Sequence, residues 1–571
     1  MMVKGKDYPD WYEDRSLDTI KAGYLLEGET PKEAYIRIAR ASAERLKKPE
    51  LTEAFFNLFW KGWMGPASPV LSNMGTDRGM PVSCFGLELS DSIDGIYTAL
   101  HEMAALTKNG GGVGNYVSHI RPRGAPIKGN GKSEGVIPWI KIFDSAILAT
   151  SQGSTRRGSA VVSLDVDHGD IEEFLRIRRP EGDINRQCLN INHAVCIDDE
   201  FMKKIEDPKN THERSIWQEV LKTRFETGEP YLTFVDNANR ANPLCYEPNN
   251  LRVNQSQICT EIFQHSDDQH TFVCCLSSMN LAKYNEWKDT NAVYLATWFL
   301  DGVMQEFIDK SEGIPGLERA RRSAIKGRAL GLGVMGWHTL LQSEMTPMDS
   351  LRSRILNRAI FKSMQHHTRE ATQDLAKEYG SPLWCKGFGI RNTHTTALAP
   401  TVTNATICGG ISPSIEPWAA NSFNLKSAKG TFFVTNKQLE AYLEGVGLNT
   451  RDVWRSINEH QGSVQHLDIP KAAKDVFCTA REISQDVLIE LAAERQPFID
   501  QGQSLNLFYS IPKEEQQRDA LVQQIHEHHY KAWERGLKSL YYLRSDAAIR
   551  TVFKEEKVEA PGPDECKACE G

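Results

Sequence analysis

The chain has 571 residues, 40% of them hydrophobic and 25% charged, a balance that supports a substantial core in either several ordinary domains or one large α/β barrel with extensions. Its net charge of -8 and its lack of any Lys/Arg-rich run exclude a binder of polymeric nucleic acid, though free nucleotides remain possible ligands. No apolar run is long enough to span a bilayer and Met1-Met2-Val3-Lys4 turns polar too soon for a signal peptide, so a cytoplasmic protein is expected, whose 12 cysteines are buried residues, metal ligands or redox groups rather than disulfide staples.

Thr30-Pro31-Lys32-Glu33 carries the residues of a capping box, and Tyr35, Ile38, Ala39, Ser42 and Leu46 follow at helical spacing. Thr52 to Trp63 is a second amphipathic stretch, so residues 1–62 are predicted to form a helical N-terminal region. From Pro66 onward short β-rich runs alternate with Gly-rich turns and helical segments, which predicts an α/β architecture around a largely parallel sheet. Asn109-Gly110-Gly111-Gly112-Val113-Gly114 lacks the Lys-Ser/Thr of a phosphate-binding loop and reads as backbone that must approach a ligand closely.

Val161-Val162-Ser163-Leu164 reads as a buried strand, and Gln257 to Phe263 as a strand or a loop tip. Ser350 to Tyr379 and Lys513 to Lys538 read as long helices. Between them, Pro400-Thr401-Val402-Thr403-Asn404-Ala405-Thr406 reads equally as an ordinary Ser/Thr turn and as a cradle of donors for a phosphate. Gly536 is placed to cap the last helix, with Tyr541-Tyr542-Leu543 as a buried strand after it. Residues 63–552 form the predicted main body, and 553–571, with Pro561, Pro563 and little to bury, a flexible tail.

The chemistry-bearing residues are cysteines and tyrosines. Cys259 by itself is a buried thiol, but Glu261 two residues on points to the same side if the segment is extended. A neighbouring carboxylate raises a thiol pKa, which suits a hydrogen-atom donor better than a thiolate nucleophile, and the same carboxylate can act as a general base. Cys84 and Cys274 are further candidates whose spacing does not show whether they meet, and Cys274-Cys275 has no Cys or His partner at zinc-ligand spacing. Cys566-Lys567-Ala568-Cys569 on a loose tail suits thiol–disulfide exchange. The phenols of Tyr541-Tyr542 can pass an oxidising equivalent in single steps, although such a pair is also ordinary in a strand.

From about Leu17 to the tail, the chain resembles the large catalytic subunit of class I ribonucleotide reductase. The resemblance rests on Ser83-Cys84, Asp91-Ser92-Ile93-Asp94-Gly95, Asn109 to Gly114, Ile120-Arg121, Gln152-Gly153-Ser154-Thr155-Arg156-Arg157-Gly158, Cys259-Thr260-Glu261 and Gly536 to Arg544. It implies a ten-stranded α/β barrel with Cys259 on a central finger loop, and reduction of ribonucleotides, with diphosphates expected, to 2′-deoxyribonucleotides. Cys259 would become a thiyl radical, Glu261 and Gln257 would contact the sugar, and Cys84 with Cys274 would reduce the 2′ carbon and close a disulfide. Cys566 and Cys569 would reopen it and be recharged by thioredoxin or glutaredoxin. Tyr541 and Tyr542 would relay the radical from a separate small subunit carrying the metal cofactor, with no cofactor bound by this chain.

Substrate contacts are implied at Ser68, Ser83, Gly112, Thr401, Val402, Thr403, Asn404 and Ala405. A nucleoside triphosphate effector site at a homodimer interface is implied at Asp91, Lys108 and Arg121, with Arg156 communicating effector identity to the substrate base. Gln257 departs from the Asn usual in the family, adding a methylene to the same amide. The short stretch before the first helix leaves no room for an ATP-cone, so activity switching at such a site is expected to be missing; this compact form would suit a viral or bacterial enzyme, in the former case in the host cytoplasm. The rival readings are a cobalamin-dependent class II reductase, which needs no tyrosine relay, and an inactive nucleotide-binding regulatory subunit, against which the full set of cysteines, Glu261 and both tyrosines speak.

Overall fold

The computed structural model describes residues 6–129, 131–152, 156–180, 182–427, 430–512 and 514–545, and of these 151–152, 156–157, 425–427, 430–432 and 515–516 by backbone alone. The N-terminal helices form as their sequence predicts. Thr30 Oγ1 accepts from the Glu33 N–H at 3.2 Å while the Glu33 carboxylate accepts from the Thr30 N–H at 2.8 Å, closing the capping box that starts helix Pro31–Arg45. Its buried stripe of Tyr35, Ile38, Ala39 and Ser42 packs on helices Thr52–Trp60 and Ala292–Lys310. At that crossing Ser42 Oγ donates to Phe299 O, and a Cβ on Gly302 would lie 2.8 Å from Ser42 O, so the two backbones touch because Gly302 has no side chain.

The body is built from two parallel half-sheets. Strands β1 (Cys84–Glu88), β2 (Gly112–Tyr116), β3 (Ser159–Asp165), β4 (Asn192–Ile197) and β5 (Tyr231–Phe234) lie side by side, each parallel to the next. Their near-continuous burial is the pattern of a parallel sheet covered on both faces. Strand β6 (Phe272–Asn280) turns the direction: it pairs antiparallel with β1 and parallel with β7 (Leu330–Met335).

Single parallel bridges continue the second half from Leu332 to Thr396 and from Leu398 to Gln503, and Leu507–Tyr509 runs parallel to Leu543–Ser545. Strand β8 (Ser539–Leu540), which leads into Leu543, pairs antiparallel with β5 and shuts the ring. The α/β barrel therefore closes at two antiparallel seams, β1/β6 and β5/β8. No helix among the described residues is long and apolar enough to cross a membrane.

The chain between β5 and β6 enters the barrel as an irregular loop whose residues 255–264 are all buried. Two glycines make room for it. A Cβ on Gly114 would lie 2.8 Å from Ser256 O and 3.1 Å from Gln257 Cα, and one on Gly502 would lie 2.4 Å from the Phe263 ring. The close approach read into the glycine-rich turn is thus, at Gly114, an approach of protein to protein. Gly111 likewise faces Phe85 and Leu106 O, at 2.6 and 3.0 Å from a would-be Cβ.

Two sequence readings shift, and one feature escaped them. The last long helix spans Glu515–Glu534, shorter than the 513–538 expected. Gly536 (φ +82°) ends it with Leu537 N–H bonded to Ala532 O and Gly536 N–H to Trp533 O, both at 3.0 Å, so the left-handed glycine stops the helix early. Tyr541 and Tyr542 lie in the gap between β8 and Leu543–Ser545 rather than inside a strand, because the Tyr542 N–H turns aside to Asn506 Oδ1 at 3.0 Å. A small helical lobe around Leu439, Leu443, Ile457, Val476 and Phe477 has its own core. Its helices Lys437–Gly445, Arg451–Glu459 and Lys471–Val476 are too short to stand out as periodic segments.

Candidate active site

Cys259 sits at the tip of the barrel loop, fully buried, in a turn closed by Thr260 N–H to Gln257 O at 3.1 Å. Thr260 adopts φ +64°, so the segment is not extended and the same-side argument for Cys259 and Glu261 fails. The turn brings the carboxylate back by another route: Gln257 Oε1 accepts from the Cys259 N–H at 3.0 Å and Gln257 Nε2 donates to Glu261 Oε2. A β-branched residue in the left-handed region costs about 1–2 kcal/mol and persists only where its surroundings over-determine it. Here Ser539 Oγ donates to Thr260 O at 2.7 Å and Gly502 N–H to Glu261 O at 2.8 Å, while Ser504 Oγ reaches both Cys259 O and Glu261 Oε2.

Tyr541 Oη lies 3.9 Å from Cys259 Sγ. Its ring is 4.3 Å from that of Tyr542, and the Tyr231 ring lies against both, at 4.8 and 5.0 Å. Arg544 holds its guanidinium 4.4 Å over the Tyr542 ring. Tyr541 is 2% exposed and Tyr542 9%, so the stack leads from just beneath the surface to the buried thiol.

Cys84 and Cys274, whose meeting the sequence left open, are direct partners across the β1/β6 seam. Opposed residues of an antiparallel pair carry Cβ atoms about 4.5–5.5 Å apart, a separation that small shifts convert to a disulfide. Burial, then the neighbouring Cys275 and Glu261, push the Cys274 thiol well above its ordinary pKa, against a hydrogen bond from Gln501 Nε2 at 3.3 Å. It stays protonated at neutral pH. Glu261, tied to the loop tip through Gln257, thus also acts on the Cys274 thiol.

Ser83 lies beside Cys84 with its Oγ 3.7 Å from that sulfur, and the Gly112 N–H is taken by Ser83 O at 2.6 Å. Ser68 opens helix Ser68–Asn73, its Oγ buried with no hydrogen-bond partner. Thr401 Oγ1 accepts from the Ser414 N–H at 2.7 Å and precedes helix Val402–Ile407, whose first turn includes Thr403, Asn404 and Ala405. The Thr401 stretch is therefore a helix start, which presents N–H groups without any lysine.

Asp91 and Arg121 form an ion pair at 2.7 Å on the surface, and Lys108 is exposed at the end of helix Ile93–Lys108. Arg156 lies in a two-residue strand paired with Ser151–Gln152. Cys566 and Cys569 fall outside the described residues. His265, Asp267 and His270 bring potential ligand atoms within 4.8 Å of one another. The two Asp267 oxygens already bond His265 Nε2 and His270 Nδ1 at 3.1 and 2.9 Å, and Lys326 Nζ stands 2.7 Å from His270 Nε2, a charge that opposes a cation there.

Tyr231 and Ser504 escaped the sequence reading, and Arg544 entered it only within the Gly536 to Arg544 stretch, without a role. Ser504 had a signal: Gln501-Gly502-Gln503-Ser504-Leu505-Asn506 is a polar run, wholly buried, where a core strand would be apolar.

A profile described as ribonucleotide reductase, barrel domain, matches residues 82–213, 207–388 and 384–543, and one described as ribonucleotide reductase, all-alpha domain, matches 11–79. A putative ribonucleoside-diphosphate reductase large subunit of Frog virus 3 is 39% identical over 542 residues, covering 92% of this chain and 93% of that protein. The ribonucleoside-diphosphate reductase large subunit of Invertebrate iridescent virus 3 is 33% identical over 632 residues, covering 97% and 98%. The class Id ribonucleotide reductase alpha subunit of Actinobacillus ureae superposes with a TM-score of 0.86 at 39% identity, over 95% of this chain and 98% of that one.

Proposed function

From the premise that the chain belongs to the ribonucleotide reductase large-subunit family and reduces ribonucleotides to 2′-deoxyribonucleotides, we propose that Cys259 starts the reaction as a thiyl radical. The observation that carries this reading is the 3.9 Å separation of Tyr541 Oη and Cys259 Sγ at the end of the tyrosine stack. The oxidising equivalent arrives from a separate small subunit that holds the metal cofactor; the Tyr542 radical takes the hydrogen atom of Tyr541, and the Tyr541 radical so formed takes that of Cys259. The Cys259 sulfur abstracts the 3′ hydrogen of the ribose. Glu261, oriented by Gln257 and Ser504, takes the 3′-hydroxyl proton and later hands it back to the 3′ oxygen; the 2′-hydroxyl leaves as water with one seam proton, and the other seam hydrogen goes to the 2′ carbon as Cys84 and Cys274 give up two electrons and join in a disulfide. Cys259 then returns the hydrogen to the 3′ carbon.

A diphosphate substrate would lie with its sugar among Ser83, Gly112 and Ser68 and its phosphates at the Thr401, Val402, Thr403, Asn404 and Ala405 helix start, a reading supported by the buried, unbonded Ser68 Oγ and the N–H groups of that helix start. Cys566 and Cys569 reopen the disulfide by exchange and are recharged by thioredoxin or glutaredoxin. Helices Ile93–Lys108 and Ile137–Ala149 pack together and leave Ile93, Tyr97 and Leu148 at 60%, 50% and 71% exposure, an apolar face fit for a homodimer. Asp91, Lys108 and Arg121 beside it would hold a nucleoside triphosphate effector, with Arg156 on the path to the substrate base. The enzyme is assigned to the cytoplasm.

The test is turnover of a ribonucleoside diphosphate with and without a metal-bearing small subunit. Turnover is expected only with the partner and only while Cys259 and Tyr542 are intact. Activity in Cys259→Ala, or turnover by the lone chain given adenosylcobalamin, overturns the reading.

A further inference from the structure

Two cysteines that the reaction does not use meet at the root of the barrel loop. Cys245 lies on the incoming limb, in a small apolar cluster with Tyr246, Val253 and Phe263, and Cys385 ends the turn Leu383–Cys385. The two thiols are close enough to perturb each other's ionisation. A second contact fixes the backbones that carry them: Asn249 Nδ2 donates to Cys245 O at 2.7 Å and to Trp384 O at 3.0 Å, so one side chain ties both segments. Both cysteines are buried, at 1% and 0% exposure, yet their neighbours Leu244 and Leu383 are 81% and 59% exposed, which puts the pair one residue below the surface.

We propose that Cys245 and Cys385 are a second oxidisable dithiol, separate from the seam pair, which a hydroperoxide closes to a disulfide that staples the loop root to the segment around Trp384. The two sulfurs have distinct parts. Their mutual interaction holds the Cys245 thiol below its ordinary pKa despite burial and pushes that of Cys385 up, so Cys245 is the sulfur that supplies the thiolate. The Cys245 thiolate attacks one peroxide oxygen, the O–O bond breaks, and a sulfenic acid forms as the leaving hydroxide is protonated to water. The Cys385 sulfur then attacks the sulfenic sulfur, the S–O bond breaks, and the second water departs with the Cys385 proton. Two thiols and one peroxide give one disulfide and two waters.

The experiment is peptide mapping of the full chain by mass spectrometry without reduction, after treatment of the reduced protein with hydrogen peroxide. A cross-linked pair of peptides containing Cys245 and Cys385, two hydrogens lighter than the separate thiols and restored by dithiothreitol, is the expected result. In Cys385→Ser, dimedone is expected to trap a sulfenic acid at Cys245; in Cys245→Ser, Cys385 is expected to remain a thiol. The wild-type map stands without the variants, should either fold poorly, and none of these readouts depends on turnover. Recovery of both as free thiols under peroxide that has closed the Cys84–Cys274 pair overturns the proposal, as does dimedone labelling of Cys385 in Cys245→Ser.

Discussion

Ser504 helps hold the Cys259 turn with a single hydroxyl, shared between the carbonyl of Cys259 and the carboxylate of Glu261. A buried hydrogen bond to a charged group is worth about 1.5–3 kcal/mol, enough to decide where a carboxylate points. Ser504→Ala is therefore expected to lower kcat by roughly 10- to 100-fold, the scale on which misplaced catalytic groups are felt, with KM little changed. Steady-state kinetics check this, and an unaltered kcat removes Ser504 from the site. Glu416 is a second residue whose environment has a measurable consequence. Burial raises its carboxyl to about 7, against the Arg544 charge and a hydrogen bond from Asn506. The folded pKa lies above the unfolded one, so the stability it contributes is complete below about pH 4 and is lost as pH rises through 7. Glu416→Gln is expected to remove roughly 3 kcal/mol of that loss, which urea midpoints at pH 5 and pH 8 would register as a smaller difference in the variant than in the parent.

At the scale of elements, the barrel loop exists because glycines clear its path. Gly114 sits mid-strand, where Ala would normally be the better residue, but its Cβ would press on Ser256 O and Gln257 Cα, backbone that cannot swing aside. Gly114→Ala is expected to leave the secondary structure intact by circular dichroism while reducing turnover at least tenfold, since the loop tip must retreat; full activity would show that the tip tolerates displacement. The helices were legible from caps and periodicity: Thr30 with Glu33, and Ser350 heading Leu351–Tyr379. The loop was only half legible. Strand alternation could not anticipate Thr260 in the left-handed region, because that conformation is imposed by Ser539, Gly502 and Ser504 from far along the chain. The Cys84–Cys274 pairing is equally non-local. It depends on the antiparallel seam, which no local spacing encodes.

At the scale of the whole molecule, ionisable groups sealed into the barrel set its response to acid. Burial is the first cause that lowers His193, His338, His394 and His529, with His338 down to about 3. They are spread over the fold: His193 on β4, His338 in helix Trp337–Ser343, His394 just before the bridge from Thr396 to Leu332, and His529 in helix Glu515–Glu534. A depressed histidine contributes stability that is present above its unfolded pKa near 6.5 and is lost as pH falls toward the folded value. Glu102, Asp165 and Glu416, raised by burial, act in the opposite sense between about pH 4 and 7. The histidines outnumber them, and half-buried His270 and buried His528 shift the same way, so unfolding takes up protons on balance. Each proton of excess is worth about 1.4 kcal/mol per pH unit. Below about pH 4 the Arg328- and Arg391-paired Asp301, held at about 2, adds to the loss. The melting temperature is therefore expected to change little from pH 8 to 7 and to fall progressively from pH 6.5 to 4.5. His338→Gln is expected to soften that fall, because a side chain that cannot take a proton carries no acid penalty. Scanning calorimetry across this range decides the matter: a melting temperature that holds or rises between pH 6.5 and 4.5 would mean that the buried carboxyls, not the imidazoles, control the acid limb.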